Sequence, residues 1–183
     1  EKDELFETLE QLQFEGKIRY FGAAIGPDIG WQEEGEYSIR ERKVTSAQII
    51  YSLLEQDPAK RFIELANEHE VGLLSRVPHA SNTLTGEFDH GLPTFDPDDH
   101  RAHRKNEWLV DAMRKVDRIR FLVQEDSRSM AQSAIQFVLK PKAIVSVLPN
   151  LTTMAELKEY TTAVDTPGIT EEEQVKLDEL WEH

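Results

Sequence analysis

Apolar residues recur along the chain in two patterns, one typical of β-strands and one typical of helices. Short apolar runs bounded by polar or turn-forming residues predict strands, whereas apolar residues that return every three or four positions predict helices. The predicted strands lie near residues 17–24, 45–51, 71–77 and 144–148. The predicted helices cover residues 1–15, 36–42, 58–70, 108–123, 129–139, 153–163 and 171–181.

The order of these elements predicts the fold class. Connections that hold a helix between consecutive strands imply a parallel α/β sheet with right-handed crossovers. No glycine-rich motif of the Rossmann or Walker kind follows any predicted strand, which favours a (β/α)8 TIM barrel over a doubly wound sheet. At 183 residues, we expect residues 1–183 to form a single domain.

Two features of the predicted strands point to a binding site. Gln48 is a polar residue in an otherwise apolar strand, and a buried amide must be hydrogen-bonded. Its partner is either the backbone of neighbouring residues or a ligand. The predicted strand near residues 71–77 runs into a loop over residues 78–99, and loops of that length are usually functional or mobile.

Composition narrows the classes of partner. The chain has 35 acidic and 21 basic residues, a formal charge of -14, which disfavours binding to nucleic-acid phosphates. It lacks an apolar run of about 18 residues, the length that a membrane-spanning helix needs. It also lacks cysteine, as is common in the reducing cytosol. We expect a cytoplasmic protein that binds neither nucleic acid nor a membrane.

One segment has the composition of a metal site. His100 and His103 lie in a loop with three aspartates, and acids beside spaced histidines can hold a metal. Three basic residues flank these histidines, and they favour a solvated, salt-bridged loop. We expect no bound metal.

Four segments together resemble the aldo-keto reductase family in order and spacing. They are GKIRYFG at 16–22, QIIYSLLE at 48–55, LTGE at 84–87 and SVLP at 146–149. Aldo-keto reductases are NAD(P)H-dependent carbonyl reductases on a (β/α)8 barrel. The resemblance implies an oxidoreductase acting on an aldehyde or ketone. It covers nearly the whole chain but matches only strands five to eight, so it implies that this chain supplies the C-terminal, cofactor-side half of the barrel.

The resemblance also implies cofactor contacts at the strand ends. Ala24 and Ile25 stand where the family has a Ser-Asn pair that holds the nicotinamide amide, and Gln48 matches the glutamine that holds the same amide. Arg76 replaces the tyrosine that stacks under the nicotinamide, and an arginine plane stacks poorly over a cationic ring. The other cofactor-binding residues implied are Pro78, His79, Leu148, Asn150, Glu156 and Glu159.

The resemblance bears on the choice between NAD and NADP. The family grips the 2′-phosphate of NADP with basic residues, but Asn150 and Glu156 stand there in this chain. A carboxylate repels a phosphate and can accept a hydrogen bond from a ribose hydroxyl. Glu159 matches a family glutamate near the adenine, whereas Tyr160 replaces the usual asparagine. We expect NAD(P)H as the cofactor, with NAD at least as well bound as NADP.

The family's catalytic Asp, Tyr, Lys and His lie upstream of the matched region, so the catalytic residues of this protein are unknown from the chain. We expect these 183 residues to be inactive alone, and Glu1 in place of a methionine indicates a processed or truncated product. The alternative is a non-catalytic barrel that senses a nucleotide or binds a regulatory partner.

A half barrel would expose two strand edges and an apolar inner face. We therefore expect a missing N-terminal half, a second chain or self-association.

Overall fold

The computed structural model describes residues 2–26, 29–57, 59–103 and 106–181. They fall into two compact units. The sheet unit comprises residues 1–51, 56–76 and 141–148, and the helical unit comprises residues 52–55, 77–140 and 149–183. The expectation of a single domain over residues 1–183 stays a prediction.

The sheet unit contains the predicted parallel sheet. Its strands lie side by side in chain order, and every pairing is parallel. This order is the one that a (β/α)8 barrel uses, so the prediction of a partial barrel is confirmed. The strands are β1 (Gly22–Ala24), β2 (Ser46–Ile50), β3 (Gly72–Arg76) and β4 (Ile144–Leu148).

Strand β1 begins five residues later than the pattern predicts. Gly16 has a φ of 72°, a conformation that suits glycine after a helix. The backbone N–H groups of Lys17 and Ile18 then both donate to the carbonyl of Leu12. This turn holds the start of the predicted strand against the helix end, and pairing with β2 starts only afterwards.

All seven predicted helices are present, with changed ends. None of the described helices is long and apolar enough to cross a membrane. Three short 3-10 segments cover residues 100–103, 120–122 and 162–165. The helices are α1 (Lys2–Phe14), α2 (Ile29–Arg40), α3 (Ala59–His69), α4 (Asn106–Arg118), α5 (Met130–Leu139), α6 (Met154–Thr161) and α7 (Glu171–Trp181).

Helix α2 is much longer than the predicted segment at residues 36–42. The glycines of α2 lower the helix propensity of its sequence, because glycine disfavours a helix interior by about 1 kcal/mol relative to alanine. Gly35 is retained for packing: a Cβ there would lie 2.7 Å from side-chain atoms of both Ile25 and Phe62. The close approach of α2 to its neighbours thus offsets the poor helix propensity.

Side chains along β2 and β3 alternate between two environments. Ala47, Ile49 and Leu73 are at most 2% exposed, whereas their chain neighbours on β2 and β3 are only half-buried. The buried Ser75 fits the pattern because its hydroxyl donates to the carbonyl of Tyr51 at 3.0 Å. One face of the sheet is therefore packed core, and the other remains accessible in this unit.

The helical unit is organised around the buried side chain of Arg128. Its guanidinium donates to the carbonyls of Leu122, Pro167 and Gly168 and to a carboxylate oxygen of Glu173 at 2.5 Å. Burial acts to raise the pKa of Glu173, but hydrogen bonds from the Thr170 backbone and from the guanidinium outweigh it and lower the pKa. A buried pair of this kind is costly to break, so it joins distant segments of the unit.

We expect Gly22→Ala to weaken the sheet unit. A Cβ at this position would lie 2.5 Å from the backbone oxygen of Ser46, and backbone cannot move aside as a flexible side chain does. Overpacking of this kind costs about 1–3 kcal/mol in the free energy of unfolding, measured by urea titration. Gly168→Ala is the matched control, since its nearest neighbour atom would be 3.8 Å away. Equal stability of the two variants would contradict this account of the β1–β2 contact.

Candidate functional site

The carboxyl ends of the four parallel strands carry half of the predicted site residues. The last residues of β2, β3 and β4 are in register, with Ile50 opposite Arg76 and Arg76 opposite Leu148. Two residues before Ile50, Gln48 lies opposite Ala24 of β1. Residues opposite each other in a parallel pair share a face, so the accessible face of the sheet collects these side chains. We call the face that carries Gln48, Ile50, Leu74 and Arg76 the open face.

Gln48 lies on the open face and is half-buried. Within the described ranges its carboxamide makes no hydrogen bond, whereas its backbone carbonyl accepts from the N–H of Ile25 at 2.9 Å. The sequence left two possible partners for this amide, neighbouring backbone or a ligand. Among the described residues, no backbone group bonds to it. A donor and acceptor pair without such a partner, on the accessible face of a strand, can bind a ligand amide.

Arg76 ends β3 on the same face. Its Nη2 donates to the carbonyl of Ile25 at 3.3 Å, so the guanidinium reaches across β2. Among the residues that the structure describes, no carboxylate forms an ion pair with it. The charge of Arg76 is thus placed at the carboxyl edge of the sheet without a neutralising partner in the described ranges.

The remaining predicted residues of the sheet unit differ in exposure. Ala24 is exposed and small, and Leu148 is 38% exposed. Ile25 is only 4% exposed, because its side chain packs against Gly35 of α2. Ile25 therefore presents its carbonyl, which Arg76 uses, and not its side chain. Contact of these residues with a cofactor stays a prediction.

In the helical unit, the loop that follows residue 76 has an unusual backbone. Val77, Ala80, Ser81 and Asn82 all have φ between 46° and 69°, a left-handed conformation that residues other than glycine seldom adopt. Pro78, a predicted site residue, is buried within this segment. Strain of this kind persists only where surrounding structure enforces it, and it clusters in ligand-binding loops.

His79 is a buried core residue of the helical unit. Its ring packs against the ring of Tyr160 at a tilt of 45°, with 4.4 Å between centroids, and its Nε2 lies 3.2 Å from the carbonyl of Ala131. Because a carbonyl only accepts, Nε2 carries the hydrogen. Burial is the main cause that lowers the pKa of His79 to about 4. His79, a predicted site residue, is therefore in contact with Tyr160, which stands where the family usually has an asparagine.

Glu156 caps the helix that follows residue 153. Its Oε2 accepts from the N–H groups of Thr152 and Thr153 at 2.7 and 2.8 Å and from the Thr152 hydroxyl at 2.8 Å. The Thr153 hydroxyl accepts from the N–H of Glu156 in return, which completes a capping box. The bond from the Thr152 backbone is the main cause that lowers the pKa of Glu156. Its carboxylate thus already neutralises the start of α6.

Glu159 also has an internal partner. Its Oε1 accepts from the hydroxyl of Ser129 at 2.5 Å, and Ser129 is the N-cap of α5. The side chain of Gln132 donates to the backbone carbonyl of Glu159 at 3.1 Å. These bonds join α6 to the start of α5.

A polar cleft of about 480 Å³ lies within the helical unit. Arg101 contacts two of its carboxylates: it donates to Asp99 at 2.8 Å and to Glu87 at 3.3 Å. Glu87 ends the LTGE segment of the family resemblance, but it was not among the predicted site residues. The available signal was a charged residue directly after a glycine in a turn. The cleft is lined by Asn82, Glu87, Asp98, Asp99, Arg101, Asn150, Thr152 and Glu156.

Four carboxylates and one guanidinium give this cleft an acidic character. Asn150, a predicted cofactor contact, is exposed at its wall. Across the described residues no group of three or more His, Asp or Glu side chains is arranged to hold a metal. The side chains of His100 and His103 lie outside what the structure describes, so the expectation for that segment stays a prediction.

The buried imidazole of His79 makes stability depend on pH. The folded state has a pKa of about 4 against an ordinary value of 6.5, so the unfolded state binds the proton first as the pH falls. The neutral His79 imidazole therefore makes its full contribution to the free energy of unfolding above about pH 6.5. That contribution falls by up to about 3 kcal/mol as the pH is lowered towards 4. We expect His79→Leu to flatten this part of the unfolding profile, measured by urea titration at several pH values. His90→Leu removes an exposed imidazole from the same loop as a control. An unchanged slope in His79→Leu would exclude the residue as the source.

Comparison with known proteins identifies the family. The sequence profile of the Aldo/keto reductase family matches residues 2–182. The chain is 27% identical over 176 residues to "Uncharacterized oxidoreductase YqkF" of Bacillus subtilis (strain 168), covering 93% of this chain and 53% of that protein. It is 27% identical over 173 residues to L-glyceraldehyde 3-phosphate reductase of Escherichia coli (strain K12), covering 90% and 49%.

A solved structure supports the same fold. The aldo-keto reductase AKR11C1 from Bacillus halodurans in its holo form aligns with a TM-score of 0.69 at 22% identity, over 97% of this chain and 55% of that one. The chain thus spans about half the length of the relatives that it matches. With a profile match over nearly every residue, the chain belongs to the aldo/keto reductase family.

Proposed function

We propose that the complete protein is an NAD(P)H-dependent oxidoreductase that reduces an aldehyde or ketone, and that this chain forms part of its cofactor site. The observation that carries the proposal is the carboxamide of Gln48 on the open face, which has no hydrogen-bond partner among the described residues. Ligands of parallel α/β folds bind at the carboxyl ends of the strands. Two relatives, an oxidoreductase and a reductase by name, support the same reaction class.

The residues of the sheet unit fit the nicotinamide end of such a cofactor. Gln48 offers one acceptor and two donors, which complement the carboxamide of the nicotinamide. Ala24, opposite Gln48 in the register, leaves space for a ring because it has only a methyl group. These side chains would bind and orient the ring; the cofactor itself would supply the hydride.

Carbonyl reduction also requires a proton donor, and we assign none to this chain. A general acid must lie within hydrogen-bond reach of the substrate oxygen, and the aldo-keto reductase pattern puts its catalytic residues in the other half of the barrel. We therefore propose that a further four-stranded half, in the same polypeptide or in a second chain, completes the barrel. The chain's share of about half of its relatives' length is consistent with this proposal.

A second candidate function is a non-catalytic barrel that senses a nucleotide or binds a regulatory partner. Several predicted cofactor contacts already bond to other residues of the chain, which favours this candidate. The ring of His79 packs against Tyr160, and Glu159 accepts a hydrogen bond from Ser129, so these side chains already have partners within the helical unit. Tyrosine and lysine at the family spacing in the other half of the protein would favour the enzyme, and their absence would favour this candidate.

Cofactor-dependent reduction by the complete protein tests the leading proposal. We expect the near-ultraviolet absorbance of NADH or NADPH to fall only when a small aldehyde or ketone is added. Gln48→Ala should weaken binding of the reduced cofactor about tenfold, because hydrogen bonds to the ring carboxamide are lost. Asn67→Ala, which removes an exposed amide from α3, is the matched control. Cofactor binding without turnover of any carbonyl compound would favour the sensing candidate instead.

The start of α6 bears on the choice between NAD and NADP. Helix N-termini attract phosphates through free N–H groups, but here Glu156 already accepts from the N–H groups of Thr152 and Thr153. Asn150 adds no positive charge at the cleft wall, and the guanidinium of Arg101 in the same cleft is already paired with Asp99 and Glu87. The donor set therefore does not fit a 2′-phosphate, whereas a carboxylate can accept from a ribose hydroxyl. We propose that NAD(H) binds at least as well as NADP(H).

Removing the charge of Glu156 should raise the relative affinity for NADP(H). Repulsion between close unit charges near water costs about 1 kcal/mol or more, so we expect a several-fold gain for NADPH relative to NADH in Glu156→Gln. The amide keeps an acceptor for the helix cap; Glu156→Arg should extend the gain. Fluorescence titration of the complete protein with both reduced cofactors measures the ratio. Glu171→Gln makes the same charge change at the start of α7 and is the control, which should leave the ratio unchanged.

The proposal would be contradicted if the parent bound NADPH more tightly than NADH and the two Glu156 variants did not change that ratio.

A further inference from the structure

Among the described residues, the open face combines the carboxamide of Gln48, which has no hydrogen-bond partner, with the guanidinium of Arg76, which has no ion-pair partner. Gln48 lies opposite Leu74 and Ile50 lies opposite Arg76, so Gln48 and Arg76 are diagonal neighbours on adjacent strands. Side chains of diagonal neighbours on adjacent strands lie close enough for both to contact the same ligand. A ring held by the carboxamide of Gln48 would therefore lie near the guanidinium of Arg76.

The position of that guanidinium is fixed by the structure. Arg76 donates to the carbonyl of Ile25 at 3.3 Å, which holds the side chain over the sheet instead of leaving it free in solvent. Arginine stays protonated at every physiological pH. In the described part of the chain no acid neutralises it. The edge of the sheet thus carries a permanent, oriented positive charge.

We propose that Arg76 makes this site selective for the oxidation state of the cofactor, favouring the reduced dinucleotide over the oxidised one. The inference rests on the proposed function and deepens it. The oxidised nicotinamide ring carries a positive charge, whereas the reduced ring is neutral. A fixed guanidinium beside the ring repels the first and not the second. Arg76 is then a specificity-determining residue for the redox state and contributes no proton to the reaction.

This selectivity differs from the choice between NAD and NADP. It depends on the charge of the nicotinamide and on Arg76 in the sheet unit, whereas the phosphate preference depends on Glu156 in the helical unit. A protein could have either property without the other. Product release would also benefit, because the ring that leaves after reduction of a carbonyl is the cationic form.

Calorimetric titration of the complete protein with NADH and with NAD⁺ tests the proposal. We expect the parent to bind NADH about fivefold or more tightly than NAD⁺, the effect of two close unit charges near water. Arg76→Gln should tighten NAD⁺ binding by a similar factor and change NADH binding less than about twofold. Glutamine keeps an N–H donor for the carbonyl of Ile25, and Arg76→Lys, which keeps the charge, should retain the discrimination.

Two further measurements separate charge from structural damage. Arg40→Gln makes the same charge change on an exposed position in the last turn of α2 and should leave the ratio unchanged. Rising salt concentration should reduce the ratio in the parent itself, because salt screens exposed charges; this measurement needs no variant.

The outcomes distinguish this inference from the proposed function. Binding of both forms with equal affinity, or a ratio that Arg76→Gln does not change, would overturn the role of Arg76 and leave the cofactor site intact. Failure of the parent to bind either form would overturn the proposed cofactor site and this inference with it.

Discussion

The parallel register of β2 and β3 is the constraint on which the candidate site depends. Because side chains alternate, Ala47 and Leu73 enter the packed core only if Gln48 and Arg76 take the opposite face. A slip of one residue would bury an amide and a guanidinium and expose the core. The apolar half of the pattern therefore positions the polar half. The same sequence feature that stabilises the sheet presents two polar side chains at its carboxyl edge.

The helical unit uses the other predicted site residues differently. His79 and Glu159 have partners inside the unit, and Glu156 is committed to a helix cap. A residue type at a family position is thus compatible with either a ligand contact or a structural bond. Burial distinguishes a structural role from a ligand contact for His79, since the residue is only 4% exposed. It does not do so for Glu156, because a capping carboxylate still has a second oxygen that a ribose hydroxyl could reach.

Much of the fold could be predicted because it depends on local pattern. Strands β2, β3 and β4 begin and end within one residue of the predicted bounds, since apolar runs of five residues between polar turns leave little ambiguity. Strand β1 is shorter because hydrogen bonds to Leu12 hold its predicted start. Helix α2 was underestimated because Gly35 serves a tertiary contact. Arg128 was not singled out, since its partners lie up to 45 residues away along the chain.

The candidate site could be predicted less well, for a physical reason. Alternation and spacing place a side chain on a face, but they do not show whether its hydrogen bonds are already made. Gln48 and Glu156 illustrate the difference: both are polar residues at positions that the family uses for the cofactor. Only the structure separates an amide without a partner among described residues from a carboxylate with three donors. Thr153 and Glu156 do have the spacing of a capping box, a signal that was available in the sequence.

Under the proposed function, the two charged positions would act on different parts of a dinucleotide. Oxidation changes the charge of the nicotinamide and leaves the ribose phosphate unchanged, so Arg76 can respond to redox state but not to the choice between NAD and NADP. Glu156 would have the converse property, because its carboxylate would lie near groups that hydride transfer does not alter. Each residue would therefore control one proposed binding equilibrium, and a change at one should leave the preference set by the other intact. Selectivity for the cofactor's identity and selectivity for its oxidation state can thus evolve separately on this fold.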